Sequence, residues 1–342
     1  MDTRDTAEQA ELRRAARRLA GDLGPATVAD LDDATRAKRL AAAVHDAGWL
    51  ELRDDAGNGR PLAGSEDAAI VADALAAAAA DVAYAGPVLA GDLARRAGAP
   101  RRDGVVVAFS ESLVGVTNVP GAATSTAACA VDCGTDVTEA YVVLAEGPDY
   151  RIGLVRVAGV LEGADLTRTV RAVPAGAPIE AVPGADRVLT RDDLAQWNAL
   201  GLAITSADLV GVMRGVLDAT VAYAADRRQY GVPIGSFQAV AHLLAEAHTL
   251  MEGSHSVALH ASWAADNLVP LEALSAGRIA KAYCARAART VCETAIQVHG
   301  GIGNTWDCMV HVYLRRALLS TQWFGDDGEH LRALARERLG SE

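Results

Sequence analysis

Two short stretches carry the residue types that grip a flat, charged ligand. The first runs from Asp226 to Gln238, Asp-Arg-Arg-Gln-Tyr-Gly-Val-Pro-Ile-Gly-Ser-Phe-Gln. Two arginines close a helical run, Gly231 and Pro233 stop it, and a new helix is expected to open near Ser236. A guanidinium fork holds a phosphate through two parallel hydrogen bonds, and a helix start offers backbone N–H groups with no partner in their own helix. The second stretch, Gln297 to Gly303, reads Gln-Val-His-Gly-Gly-Ile-Gly, and its glycines let a backbone come close to a ligand. Each has a plain structural explanation when taken alone: a solvated helix end for Arg227 and Arg228, a helix cap and turn for Gly300 and Gly301. As a pair they read as a dinucleotide grip.

The same residues, with Tyr313-Leu314-Arg315-Arg316 after them, closely resemble the C-terminal half of the acyl-CoA dehydrogenase family. The resemblance implies a mainly α fold with a small β domain. Its three parts would be an N-terminal helical domain over residues 1–103, a middle β domain over 104–190 and a C-terminal four-helix bundle over 191–342. It implies FAD as cofactor and α,β-dehydrogenation of an acyl-CoA thioester, in which a carboxylate takes a proton and the flavin takes a hydride. Carried over by position, Arg227, Gln229, Tyr230, Ile234, Phe237, Gln297, Gly300 and Gly301 would lie against the ADP portion of a FAD shared across a subunit interface.

Other family features are missing. The turn that usually bears the catalytic glutamate is Trp323-Phe324-Gly325, and phenylalanine accepts no proton. The less common position, at the start of the first C-terminal helix, falls at Leu200-Gly201-Leu202, again without a carboxylate. The nearest acids are Asp208, Asp326 and Asp327, for which surface charge or helix capping is the plainer reading. His299 reads as a structural or cofactor-edge histidine. The flavin-ring motif has shrunk to Phe109-Ser110-Glu111-Ser112, and no tryptophan stands between Trp49 and Trp197. The chain therefore resembles the non-catalytic, FAD-contributing subunit of heterotetrameric acyl-CoA dehydrogenases in bacteria that degrade steroid side chains. Its partner subunit would carry the base and the ring pocket, with acyl-CoA as substrate and an electron-transfer acceptor. Two alternatives stay open: a homomeric dehydrogenase with Asp326 as an unconventional base, and a flavin-free scaffold that kept the fold.

The elements that must position these residues follow from pattern. The chain is 51% hydrophobic but 4% aromatic, so closely packed alanine-rich helices are expected. Thr6 to Gln9 reads as an N-cap and first turn. A second helix sets Leu40, Ala43, Val44, Ala47 and Leu50 on one face and ends near Gly48, and a third runs from Ser65. Valine-rich runs at 105–109, 140–145, 152–157 and 168–173 predict strands. From Asp192 the pattern is helical. Leu243, Leu250 and Val257, beside Phe237, Val240, Leu244 and Met251, predict one helix buried along a side, and further helices are expected over 271–298, over 307–323 and from Asp327. A net charge of -12 disfavours nucleic acid and membrane surfaces as partners. No apolar run is expected to reach the length of a membrane span. The five cysteines show no zinc-type pairing, so no metal is expected, and they read as reduced thiols of a cytoplasmic protein.

Overall fold

The structure is a computed structural model that describes residues 3–113, 123–124 and 127–340. Helices come first: α1 (Ala7–Leu23), α2 (Ala34–Asp46), α3 (Ser65–Ala77) and α4 (Ala85–Arg96). Thr6 and Gln9 form the expected capping box at the start of α1, and Asp33 caps α2 through the N–H groups of Thr35 and Arg36. In α2, Leu40 and Val44 face the core, while Ala47 is exposed beyond the last turn.

The strands follow: β1 (Val105–Ser110), β2 (Ala128–Val131), β3 (Glu139–Glu146), β4 (Asp149–Arg156), β5 (Val160–Leu161), β6 (Val170–Val173) and β7 (Glu180–Ala181). They form one sheet in the order β5-β6-β2-β1-β3-β4-β7, with β1 and β3 parallel and the other neighbours antiparallel. The valine runs predicted four of these strands. Ala-Cys-Ala-Val at β2 lacks that signature and becomes a strand because its neighbours β1 and β6 pair with it on both sides.

Helices then resume with α5 (Arg191–Asp226), the short hairpin β8 (Arg228–Gln229) and β9 (Val232–Pro233), α6 (Gln238–Asn267), α7 (Pro270–His299), α8 (Val310–Gln322) and α9 (Asp327–Leu339). α5 packs against α3, α6, α7 and α8, and so sits at the centre of the helical region. Against expectation, one stretch of α5 is long and apolar enough to cross a membrane by composition, but 89% of that window is buried inside the protein, as befits a central core helix. The predicted stripe on α6 is also only half right. Met251 is buried, but Leu243 and Phe237 are exposed, because the inner seam is made of Ala247, Ala258, Ala261, Ala264 and Ala265. Small residues let α6 and α7 approach closely and leave the larger ones on the flank.

A buried ionic cluster ties the sheet region to the helices. Asp208, in the middle of α5, is 2% exposed and accepts hydrogen bonds from Arg168 Nη2 at 2.5 Å, Arg316 Nη2 at 2.7 Å and Ser320 Oγ at 2.6 Å. It is neither surface charge nor a cap, which corrects the sequence expectation. Burial would raise its pKa, but the two guanidiniums outweigh burial and hold the carboxyl below its usual range. Removing this charge strands two buried cations. Asp208→Asn is expected to cost about 3 to 5 kcal/mol in thermal unfolding. Because the native pKa is lowered, the advantage of the wild type is full above pH ~4 and fades as the pH falls through the native value. A variant as stable as the wild type at neutral pH would contradict this role.

Candidate functional site

The first motif forms at the end of α5. The helix stops at Asp226, and the chain turns through Gln229-Tyr230-Gly231-Val232, with Gln229 paired to Val232. Tyr230 and Gly231 have φ of +52° and +82°, the left-handed pair that a two-residue hairpin turn demands. Glycine meets this without strain; tyrosine does not. Tyr230 is nevertheless 94% exposed, with its ring edge-on to Phe237 at 6.3 Å. Ile234 anchors the hairpin: its side chain is buried, and its N–H donates to Arg227 O at 2.8 Å. Arg227 and Gln229 are exposed, and their side chains have no hydrogen-bond or ion-pair partner among the described residues. α6 then begins after Phe237 with no side-chain cap, so its first N–H groups remain available.

The second motif forms at the end of α7. Gly300 adopts φ +65° and ψ −141°, a conformation open essentially to glycine, and its N–H caps the carbonyls of Gln297 and Ile296. That accounts for Gly300 structurally. Gly301 and Gln297 are exposed, and a methyl group placed on Gly301 would meet nothing within 4 Å. His299 is buried, its Nδ1 lies 2.9 Å from Ala295 O, and its ring stacks on Tyr223 at 4.2 Å with an interplanar angle of 16°. The histidine is therefore structural: its stack with Tyr223 brings the ends of α5 and α7, and with them both motifs, together. The sequence reading missed Tyr223, although it stands one helical turn ahead of Arg227.

The positions considered for a base lie elsewhere and carry none. Phe324 is 3% exposed, and its ring lies against Gly201 on α5, so the two places without a carboxylate touch each other. Phe109 from β1, at 4.9 Å, and Trp197, at 5.4 Å, complete the contact. Asp326 is the N-cap of α9, accepting from Glu329 N at 2.8 Å, and Asp327 pairs with Arg286 Nε at 2.7 Å. Both acids are thus committed to capping and a surface pair.

Beside this cluster Lys281, fully buried, donates to Ser320 O at 2.6 Å and to Trp323 O, so it pins the end of α8 and the turn after it. Burial pushes its amine down to about 7. Since the native pKa lies below the unfolded one, the wild type should gain stability, relative to Lys281→Met, as the pH rises from about 7 towards 8.5. The buried thiols of Cys129, Cys133 and Cys292, whose pKa burial raises, work the opposite way at higher pH and are common to both proteins. Parallel stability–pH curves for the two proteins would contradict this.

Residues 198–339 match the family described as acyl-CoA dehydrogenase, C-terminal domain. Acyl-CoA dehydrogenase IpdE2 of Mycolicibacterium smegmatis is 36% identical over 174 residues, 51% of this chain and 50% of that protein. Acyl-CoA dehydrogenase FadE34 of Mycobacterium tuberculosis is 38% identical over 148 residues, 41% of this chain and 21% of that protein. The matches thus span about half or less of the length of these curated relatives. In three dimensions the chain is similar to the ChsE4-ChsE5 complex of Mycobacterium tuberculosis, with TM-score 0.81 and 22% identity over 100% of both chains. It is also similar to a Tcur3481-Tcur3483 steroid ACAD variant, with TM-score 0.78 and 21% identity over 98% of this chain and 99% of that one. Butyryl-CoA dehydrogenase of Megasphaera elsdenii follows at TM-score 0.76 and 15% identity over 99% of this chain and 100% of that one. The chain thus carries the acyl-CoA dehydrogenase C-terminal domain over residues 198–339 and has the fold of the acyl-CoA dehydrogenases along its length.

Proposed function

We propose that this chain is the FAD-contributing, non-catalytic subunit of a heteromeric acyl-CoA dehydrogenase. One contrast carries the reading: Arg227 and Gln229, suited to the ADP portion of FAD, are exposed and without a side-chain partner among the described residues, whereas the position suited to the base is a buried phenylalanine. The exposed Arg227 guanidinium, the uncapped start of α6 and the open backbone at Gly301 fit a pyrophosphate and adenine. In this reading Gln229, Tyr230 and Phe237 line the edge of that surface, Gln297 and Gly301 close it, and Ile234 and Gly300 hold its backbone in place. When bound, FAD supplies hydride acceptance, and this chain's residues only hold and orient its nucleotide end.

The partner subunit supplies the carboxylate base and the ring pocket, acyl-CoA is the substrate, and an electron-transfer flavoprotein is the acceptor. Similarity to the ChsE4-ChsE5 complex and to a steroid ACAD favours a two-chain heterotetramer acting on a steroid side-chain CoA thioester. Three units serve this arrangement, over residues 1–103, 104–190 and 191–342, with the nucleotide grip confined to the last. A homomeric enzyme using Asp326 is disfavoured because that carboxylate is engaged in the α9 cap.

Native mass spectrometry of the assembly, reading subunit masses and bound FAD together, tests the proposal. Two chain types with one FAD per pair is the expected result, and one chain type with one FAD per subunit would sink it. In the same complex Arg227→Ala should weaken FAD binding by at least about tenfold, since a charge-assisted bidentate contact contributes about 1.5 to 3 kcal/mol. Unchanged flavin content on dilution would remove Arg227 from the grip.

A further inference from the structure

Aromatic residues are scarce in this chain, yet two of its three phenylalanines and two of its five tryptophans meet in one place. Phe109 comes from β1, Trp197 from the first turns of α5, and Trp323 and Phe324 follow α8. All four are buried. Phe109 meets Phe324 edge-on at 4.9 Å and 73°, and meets Trp323 edge-on at 6.0 Å and 82°. Trp197 lies 5.4 Å from Phe324 and 6.3 Å from Phe109.

The backbone beneath this cluster is unusual. Phe324 has φ +69°, a region that bulky L-residues avoid and occupy only where the surroundings over-determine them. Three contacts do so here. The Phe324 N–H donates to Leu113 O at 2.8 Å, the preceding carbonyl of Trp323 accepts from Lys281, and the ring lies against Gly201. A methyl group at Gly201 would fall well inside van der Waals contact with three ring atoms of Phe324. A glycine in the interior of a helix costs conformational entropy, and in this position the ring is what requires it.

We infer that Phe324 and Gly201 form a lock that closes this chain's own pocket, where β1, α5 and the turn after α8 meet, to both a flavin ring and an acyl chain. The same ring fills the space where the resemblance would place the base, and the rings of Phe109, Trp197 and Trp323 pack around it. The chain can then offer flavin only its exposed nucleotide grip. The inference rests on the half-site reading solely for what the space would otherwise hold; the interlock itself is a property of this chain.

The experiment is a double-mutant cycle on the full chain. Gly201→Ala is expected to lower the unfolding midpoint by about 5 °C, because overpacking a core against a ring is destabilising. Phe324→Leu lowers it too, but the double variant should lie several degrees above the sum of the two shifts, since the shorter side chain makes room for the new methyl. Additive shifts, or a Gly201→Ala protein as stable as wild type, overturn the lock. Should the leucine variant not fold, lumiflavin, a flavin ring without a nucleotide, probes the wild type directly through tryptophan fluorescence. No saturable quenching is expected, and one-to-one saturable quenching overturns the inference. Failure of the half-site reading would show separately, as FAD retention in the complex that is indifferent to Arg227.

Discussion

One buried carboxylate decides how the parts of this chain meet. Asp208 stands midway along α5 and neutralises Arg168 from the loop before β6 and Arg316 from α8. Two cations around one anion would still be costly away from water, but Asp132 and Asp165 also flank Arg168, at 3.7 and 3.9 Å. The sheet region, the central helix and α8 are thereby joined through charges that cannot be separated without being stranded. Ser320 extends the cluster. Its hydroxyl donates to Asp208 and its carbonyl accepts from Lys281, so the last turn of α8 is held on both sides. The turn 323–325 begins where that helix ends, and the place of the Phe324 ring therefore depends on Asp208 although the two do not touch.

The two ends of the C-terminal helices have met opposite fates. Around Phe324 the rings of Phe109, Trp197 and Trp323 are packed away, in a site formed by three separate stretches of the chain. Around Arg227 little is packed: a guanidinium without a partner among the described residues, a phenol almost wholly in solvent and a left-handed backbone beneath it. The isolated chain gains no stability from that display. The left-handed backbone at Tyr230 is held by the hairpin pair Gln229–Val232 with the ring left in solvent, whereas that at Phe324 is held by buried contacts.

Much of this was legible in the sequence, for physical reasons. Helix stops, glycine turns and valine runs are local signals, and they located the break between helices at 231–233, the cap at Gly300 and four strands. What escaped was set by distant partners. Asp208 looked like surface charge because its two arginines lie far away in the chain. The short strand β2 is held by its neighbours rather than by its composition, and the large residues of α6 were displaced outward by an alanine seam that periodicity alone does not distinguish from a leucine one. The residues expected on the nucleotide side were named from two short motifs, and the Tyr223–His299 stack joins the ends of the two helices that bear them. The aromatic cluster had a signal that went unused: in a chain so poor in aromatic residues, each phenylalanine has few others to pack against.

Restoring a glutamate at position 324 would not by itself restore a base. The carboxyl would enter a space walled by Phe109, Trp197 and Trp323, where burial pushes a carboxyl pKa upward and favours the protonated form, which accepts no proton. The buried amine of Lys281 already donates to the carbonyls of Ser320 and Trp323, and turning it to the carboxylate would release the turn that aims the side chain. Emptying the space would also require a smaller residue at 109 or 197, which removes ring contacts packed against position 324. A carboxylate at 324 and an open space around it would thus have to be introduced together, because each alone meets a structure that the packed ring has stabilised.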